Sequence, residues 1–177
     1  PRAVLALMQE YGISARLTFS NSLLKEEHLK DHRCNALCRL FVEDNVMEKY
    51  NVQKNDSIEN RNVRNGIIIY SDLLLHYLQK QYPGFYFVSS TTKVLTDFKE
   101  FLQEVNREEF RYVVPDFRLN KQFDKWNTLT VDQKDKIEFL CNECCRFGCK
   151  DRKSCYETVS RKNLGEAIPD YPCTSPD

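Results

Sequence analysis

The chain has 177 residues, with 26 basic and 26 acidic side chains and a formal net charge of zero. That length supports one domain with a real core, and the charge balance argues against a dedicated nucleic-acid or membrane-surface binder, leaving room only for a local basic patch. The longest apolar runs are strand-sized, well short of the roughly 20 residues that cross a bilayer, and no secretory leader pattern opens the chain. It begins at Pro1 and not Met, so an upstream segment is expected to have been removed or omitted.

Val4, Leu5, Leu7, Met8 and Tyr11 have helical spacing and stop at Gly12, a C-terminal cap residue. A short strand is expected over Ile13 to Phe19, then a helix over Leu23 to Leu29 capped by Asn21 or Ser22. Cys34 to Val42 reads as a helix with Leu37, Cys38, Leu40 and Phe41 on its apolar face. Glu43 to Arg64 is polar and rich in Asn and Asp, and reads as a loop with a broken helix. The pattern then becomes regular. Gly66 to Tyr70 is a continuous apolar strand, Leu73 to Tyr82 a helix ended by Pro83-Gly84, and Phe85 to Val88 a strand. Val94 to Val105 is a helix with Leu95, Phe98 and Leu102 aligned, and Arg111 to Val114 is a strand ended by Pro115-Asp116. Short helices are expected at Asn120 to Trp126 and Thr130 to Lys134, and a last strand at Ile137 to Leu140. The segment after Asn163 is Pro-rich and reads as an irregular tail.

The order is β-α repeated, with about five strands. Continuous apolar strands mean burial on both faces, hence a parallel sheet under helices. An open doubly wound sheet and part of a (β/α)8 barrel both fit. No Gly-rich phosphate loop follows any strand, which weakens a nucleotide-binding version. A complete barrel takes about 250 residues, so the barrel version requires a partial or truncated one, spanning 1–163, with 164–177 as the tail. Completion by a missing N-terminal segment or by another chain is expected in that case.

Five of the eight cysteines fall in one run, CNECCRFGCKDRKSC, from Cys141 to Cys155. A disulfide scaffold spreads its cysteines, a chain this long does not need staples, and adjacent Cys144-Cys145 cannot easily pair. A reduced, cytoplasmic compartment is therefore expected. The run begins where the fifth strand ends, and parallel α/β folds gather their sites at the C-terminal ends of strands. Each strand ends in polar residues: Ser20 and Asn21; Ser71 and Asp72; Ser89, Ser90 and Thr91; Asp116, Arg118 and Asn120; Asn142 and Glu143. For each of these, capping of the following helix competes with function.

Cys141-x2-Cys144 is a zinc knuckle, but no second knuckle exists and His28, His32 and His76 lie far upstream. An iron–sulfur cluster needs about four thiolates with more permissive spacing, which Cys145, Cys149, Cys155 and Cys173 supply. Cys141 and Cys144 read as bystanders, and Cys34 and Cys38, four apart on one helix, as packing. Arg146, Lys150, Arg152 and Lys153 favour thiolates, whether as metal ligands or as a nucleophile. With no histidine close in sequence, the nucleophile ranks below the metal ligand.

The stretch from Asn65 to Tyr156 resembles the collagenase-like peptidases (peptidase family U thirty-two). The resemblance rests on NGIIIYSDLLLHYLQKQYP, on Phe87-Val88-Ser89-Ser90-Thr91, on the strand Arg111 to Val114, and on Ile137-Glu138-Phe139-Leu140-Cys141. Asn142, Glu143, Cys145, Cys149 and Arg152 are similar to an Asn-Glu-x-Cys-x3-Cys block of uncharacterised bacterial relatives with an Arg downstream. The resemblance implies a truncated barrel and a cysteine-ligated iron–sulfur cluster serving hydroxylation of an unknown substrate. Asp116, Asn142 and Glu143 are the candidate catalytic residues, and Cys145, Cys149, Cys155 and Cys173 the candidate metal ligands. Two other expectations stand beside it: a non-catalytic binding or structural module with zinc or free thiols, and a cysteine-dependent hydrolase.

Overall fold

The computed structural model describes residues 2–45, 64–143 and 145–173. Helix α1 (Arg2–Glu10) ends where expected, since Gly12 takes a φ of 65° and the Ile13 N–H reaches back to the Met8 carbonyl at 2.7 Å. That left-handed residue turns the chain into strand β1 (Arg16–Phe19). Helix α2 (His32–Asn45) follows, its Cys34 N–H held by the Asp31 carboxylate at 2.7 Å. Most of the polar loop expected between Glu43 and Arg64 lies outside the described residues.

Three βα units come next. Strand β2 (Gly66–Ile69) leads to α3 (Asp72–Gln81), β3 (Tyr86–Ser89) to α4 (Phe98–Val105), and β4 (Phe110–Val113) to the short helices α5 (Phe123–Asn127) and α6 (Val131–Asp135). The strands form an all-parallel sheet in the consecutive order β1-β2-β3-β4. Leu17 pairs with Ile67 and Ile67 with Phe87. One sheet face packs under helices: Ile67, Ile69, Phe87, Phe110 and Val113 share a buried core with Leu75 and Leu78 of α3, Phe101 and Val105 of α4, and Trp126 of α5. The chain is thus an α/β protein, as its continuous apolar strands imply.

The fifth strand is reduced to a single parallel bridge between Val113 and Ile137. Backbone bonds from Val113 N to Lys136 O (2.7 Å) and from Glu138 N to Val113 O (3.2 Å) start the pairing. It stops there because Asn120 takes the Leu140 carbonyl at 3.2 Å. Two expected helices are also shorter. In place of Leu23 to Leu29 there is a 3-10 turn over Glu26–Lys30. The Val94 to Val105 helix begins only at Phe98, because Val94 adopts φ 55° and Asp97 caps the true N-terminus.

On the opposite sheet face, Arg16, Gly66 and Tyr86 share one register row. A Cβ on Gly66 would stand 2.5 Å from the Tyr86 ring, so only glycine fits under that ring. Arg16 crosses this face to Glu138 in a two-pronged ion pair, at 2.5 and 2.6 Å, with its Nε donating to the Tyr86 hydroxyl at 2.8 Å. Tyr86 and Tyr112 flank the guanidinium at 5.4 and 5.1 Å.

A helix not anticipated from the sequence, α7 (Arg152–Asn163), spans the C-terminal ends of the strands. At its far end the Ser160 Oγ accepts the Ser22 N–H (3.0 Å) and the Asn21 side chain donates to the Ser160 carbonyl (2.9 Å), both just past β1. At its near end Arg152 reaches the residues that follow β3, β4 and the Ile137 bridge. After Asn163 the chain has no regular secondary structure up to Cys173. Among the described residues no helix is long and apolar enough to cross a membrane.

Candidate functional site

β4 delivers Val114-Pro115-Asp116 to its C-terminal end, and Asp116 caps the 3-10 turn Phe117–Leu119 by accepting the Arg118 N–H at 3.0 Å. Its carboxylate is fully buried and meets two guanidinium groups. Arg118 donates to it from Nε (2.6 Å) and Nη2 (3.1 Å), and the Arg152 Nε lies 3.6 Å from it. Each arginine then continues outward. Arg118 Nη1 donates to the Cys149 carbonyl at 3.0 Å. Arg152 Nη2 donates to Glu143 Oε2 at 2.5 Å, and Glu143 Oε1 accepts the Cys145 N–H at 3.3 Å. Asp116 thus lies at the root of two paths, one hydrogen-bonded throughout to the Cys149 carbonyl and one that starts with the 3.6 Å ion pair to Arg152 and ends on the Cys145 amide.

Arg152 is the largest fully buried side chain, at 1 % exposure. Its guanidinium lies over Phe117 at 4.6 Å and Tyr156 at 5.2 Å. The two rings and the two carboxylates replace the water that a buried cation loses. Among the described residues its Nε and Nη1 find no hydrogen-bond acceptor, and the rings and the 3.6 Å contact to Asp116 lie along that edge.

The segment between Cys145 and Cys149 turns tightly. Gly148 takes φ 83°, and the Cys149 N–H donates to the Arg146 carbonyl at 3.0 Å. The turn sets Cys149 close enough to influence the Cys145 thiol. Burial, then the contact with Cys149, pushes the Cys145 thiol up to about 11, against the opposing pull of Arg152. The carboxylate of Asp116 holds the Arg118 guanidinium charged, with smaller help from Cys149 and Cys145.

Cys145, Cys149, Cys155 and Cys173 all line one cavity of about 600 Å³. Arg146, Lys150 and Arg152 supply its positive charge and Glu143 and Asp151 its negative charge. Cys145 and Cys149 are half-buried, Cys155 and Cys173 exposed. The candidate ligand set therefore shares one wall-to-wall space. Among the described residues no three or more of the His, Cys, Asp or Glu side chains stand in a metal-holding arrangement. As donor atoms the cavity lining offers four sulfurs and no imidazole.

The other candidates separate. Glu143 lines the cavity, whereas Asp116 is sealed beneath it and Asn142 is exposed and outside its lining. Cys141 is exposed, with its thiol 3.8 Å from the Phe139 carbonyl, and is not part of the lining. Cys144 lies outside the described residues. Cys34 and Cys38 line a separate cavity of about 690 Å³ beside β1, and burial pushes their thiols up to about 11 and about 12. Two strand-end residues serve as caps, Ser71 accepting the Leu74 N–H and Ser90 the Thr92 N–H, while Ser89 donates to the Glu104 carboxylate. In the sequence Arg152 is one of the cations around the cysteines and the arginine downstream of the Asn-Glu-x-Cys-x3-Cys block, and nothing in that local pattern signals its burial at the centre of the network.

No protein-family model, curated protein or solved structure matches the chain.

Proposed function

We propose that the chain is a partial (β/α)8-barrel domain that binds an iron–sulfur cluster through Cys145, Cys149, Cys155 and Cys173. The observation that carries this reading is the convergence of these four thiols, and no other described cysteine, on one cavity. Two further features support it. Cationic Arg146, Lys150 and Arg152 offset the negative charge that thiolate ligands bring, and Glu143 and Arg118 hold the backbone at Cys145 and Cys149. A cluster bound there supplies one-electron transfer. The resemblance to collagenase-like peptidases points this chemistry at hydroxylation of a substrate, with Glu143 as the one candidate acid–base residue that faces the cavity. The consecutive parallel order of β1 to β4 suits a partial barrel, one completed by a further segment or chain.

Protein expressed and purified without oxygen is expected to be brown, with iron and acid-labile sulfide in stoichiometric amount. Cys145→Ala and Cys149→Ala should each remove most of the colour, and Cys141→Ser should leave it intact. Colourless, iron-free protein under these conditions refutes the reading. A second reading, a non-catalytic module with structural zinc, is favoured by one observation: the buried Arg152 side chain occupies the space beside Thr91 and Asp116, just past β3 and β4, where a substrate would be expected. Stoichiometric zinc without iron in the same sample would establish it.

A further inference from the structure

Asp116 stands where an α/β enzyme keeps its catalytic carboxylates, yet its side chain is fully buried and closed off by two arginines. Both arginines lead to the thiol turn. One path runs Asp116 to Arg118 to the Cys149 carbonyl, with steps of 2.6 and 3.0 Å. The other runs Asp116 to Arg152 to Glu143 to the Cys145 amide, with steps of 3.6, 2.5 and 3.3 Å. The two thiols are four residues apart, and among the described residues the backbone bond within the turn between them runs from Cys149 N to Arg146 O. Four residues of Gly-containing turn do not fix a sulfur–sulfur separation by themselves. Side-chain anchors stand at both ends of it, on the Cys149 carbonyl and the Cys145 amide, and both lead back to one carboxylate.

We propose that Asp116 is the positioning residue for the Cys145–Cys149 pair: through Arg118 and Arg152 it fixes the separation at which the two sulfurs act together. This deepens the metal-binding reading, on which its functional meaning rests, but its geometry is measurable without metal. The second rooted network at the strand ends is a natural control. Glu104 is also buried, and joins Ser89, Lys93 and Arg107. None of these residues lines the thiol cavity.

The test uses the full chain with every cysteine except Cys145 and Cys149 changed to Ser. Its dithiol is equilibrated with glutathione. Two protein thiols and one glutathione disulfide give one Cys145–Cys149 disulfide and two glutathione thiols, so the equilibrium constant reads the effective concentration of one thiol at the other. Asp116→Asn is expected to lower that constant at least tenfold. Arg118→Lys, which keeps the charge but cannot grip Asp116 and the Cys149 carbonyl together, should lower it by a smaller factor. Glu104→Gln should lower the melting temperature and leave the constant within twofold. Equal changes in Asp116→Asn and Glu104→Gln, or no change in Asp116→Asn, would overturn the proposal. Should Asp116→Asn fail to fold, Arg118→Lys decides it alone: an unchanged constant there is a refutation. Cobalt(II) added to the otherwise unsubstituted protein separates the two ideas. Absence of a thiolate-to-cobalt band in the wild type counts against metal binding and leaves the thiol equilibrium as the measure of positioning. A normal band together with an unchanged Asp116→Asn equilibrium removes the positioning role alone.

Discussion

A guanidinium at 1 % exposure survives in a core because it is compensated, and Arg152 is compensated by carboxylates on two sides and rings on the other two. Replacing it by Met keeps much of the volume but leaves Asp116 and Glu143 beside an apolar side chain. Breaking a buried pair from one side costs about 3–5 kcal/mol, so Arg152→Met is expected to lower unfolding free energy by that amount in urea titration. Glu143→Gln should cost less, because Glu143 is only partly buried and the amide still accepts from Arg152. A different residue-scale expectation concerns Cys38, which is 1 % exposed in the core. Burial raises its thiol from the ordinary 9.0 to about 12. The folded state therefore keeps a proton that the unfolded state releases. The stability this contributes is complete below pH 9 and declines as pH rises from about 9 toward 12. Cys38→Ala should flatten that alkaline decline in denaturant midpoints measured across pH 8 to 10, and native Cys38 should resist iodoacetamide while Cys34 and Cys155 react.

At the scale of elements, two local devices carry testable weight. Asp97 accepts from the Lys99 and Glu100 amides and sets the start of α4. Asp97→Ala should cost about 1 kcal/mol, read as a lower urea midpoint with an unchanged m-value. Gly66→Ala drives a methyl into the Tyr86 ring and should cost about 1–3 kcal/mol as overpacking; Tyr86→Leu in the same chain should recover part of that loss. The elements with strong periodicity were legible in the sequence. The runs at Gly66 to Tyr70, Leu73 to Tyr82 and Phe85 to Val88 became β2, α3 and β3 within a residue or two, because continuous apolar strands and a helical stripe each have one good burial solution. α7 was not legible. It is held at its ends by Arg152 and Ser160 and not by an apolar face, so its sequence carries no period to read. The Val94 start of α4 was misread for a similar reason, since a left-handed Val has no composition signal. The cysteine site was half legible. Spacing and the position after Leu140 singled out the thiols, but which carboxylate anchored them depended on contacts 31 or more residues apart, from Arg118 to Cys149 and from Asp116 to Arg152, that no local pattern encodes.

Across the whole molecule, the sheet has one face under helices and the other crossed by the Arg16–Glu138 pair, joining β1 to the segment beyond β4. Both side chains are about one-third exposed, so the pair is expected to contribute modestly to stability, at most about 1 kcal/mol. The contacts that complete the fold have very long range: Arg16 meets Glu138 over 122 residues and Ser22 meets Ser160 over 138. Helix α7 has little intrinsic drive to form by itself, and it docks only on strand ends that β1, β3 and β4 have already brought together. Non-local contacts of this kind are made late, because most of the chain must be ordered before they return anything. The thiol turn precedes α7 directly and is anchored at Asp116 through Arg152, the first residue of that helix. It is therefore expected to take its final shape in the closing step of folding. A newly made chain should then carry Cys145 and Cys149 unanchored for longer than any residue of the sheet, with both sulfurs open to oxidation until α7 docks, which pulsed alkylation during refolding would read as late protection.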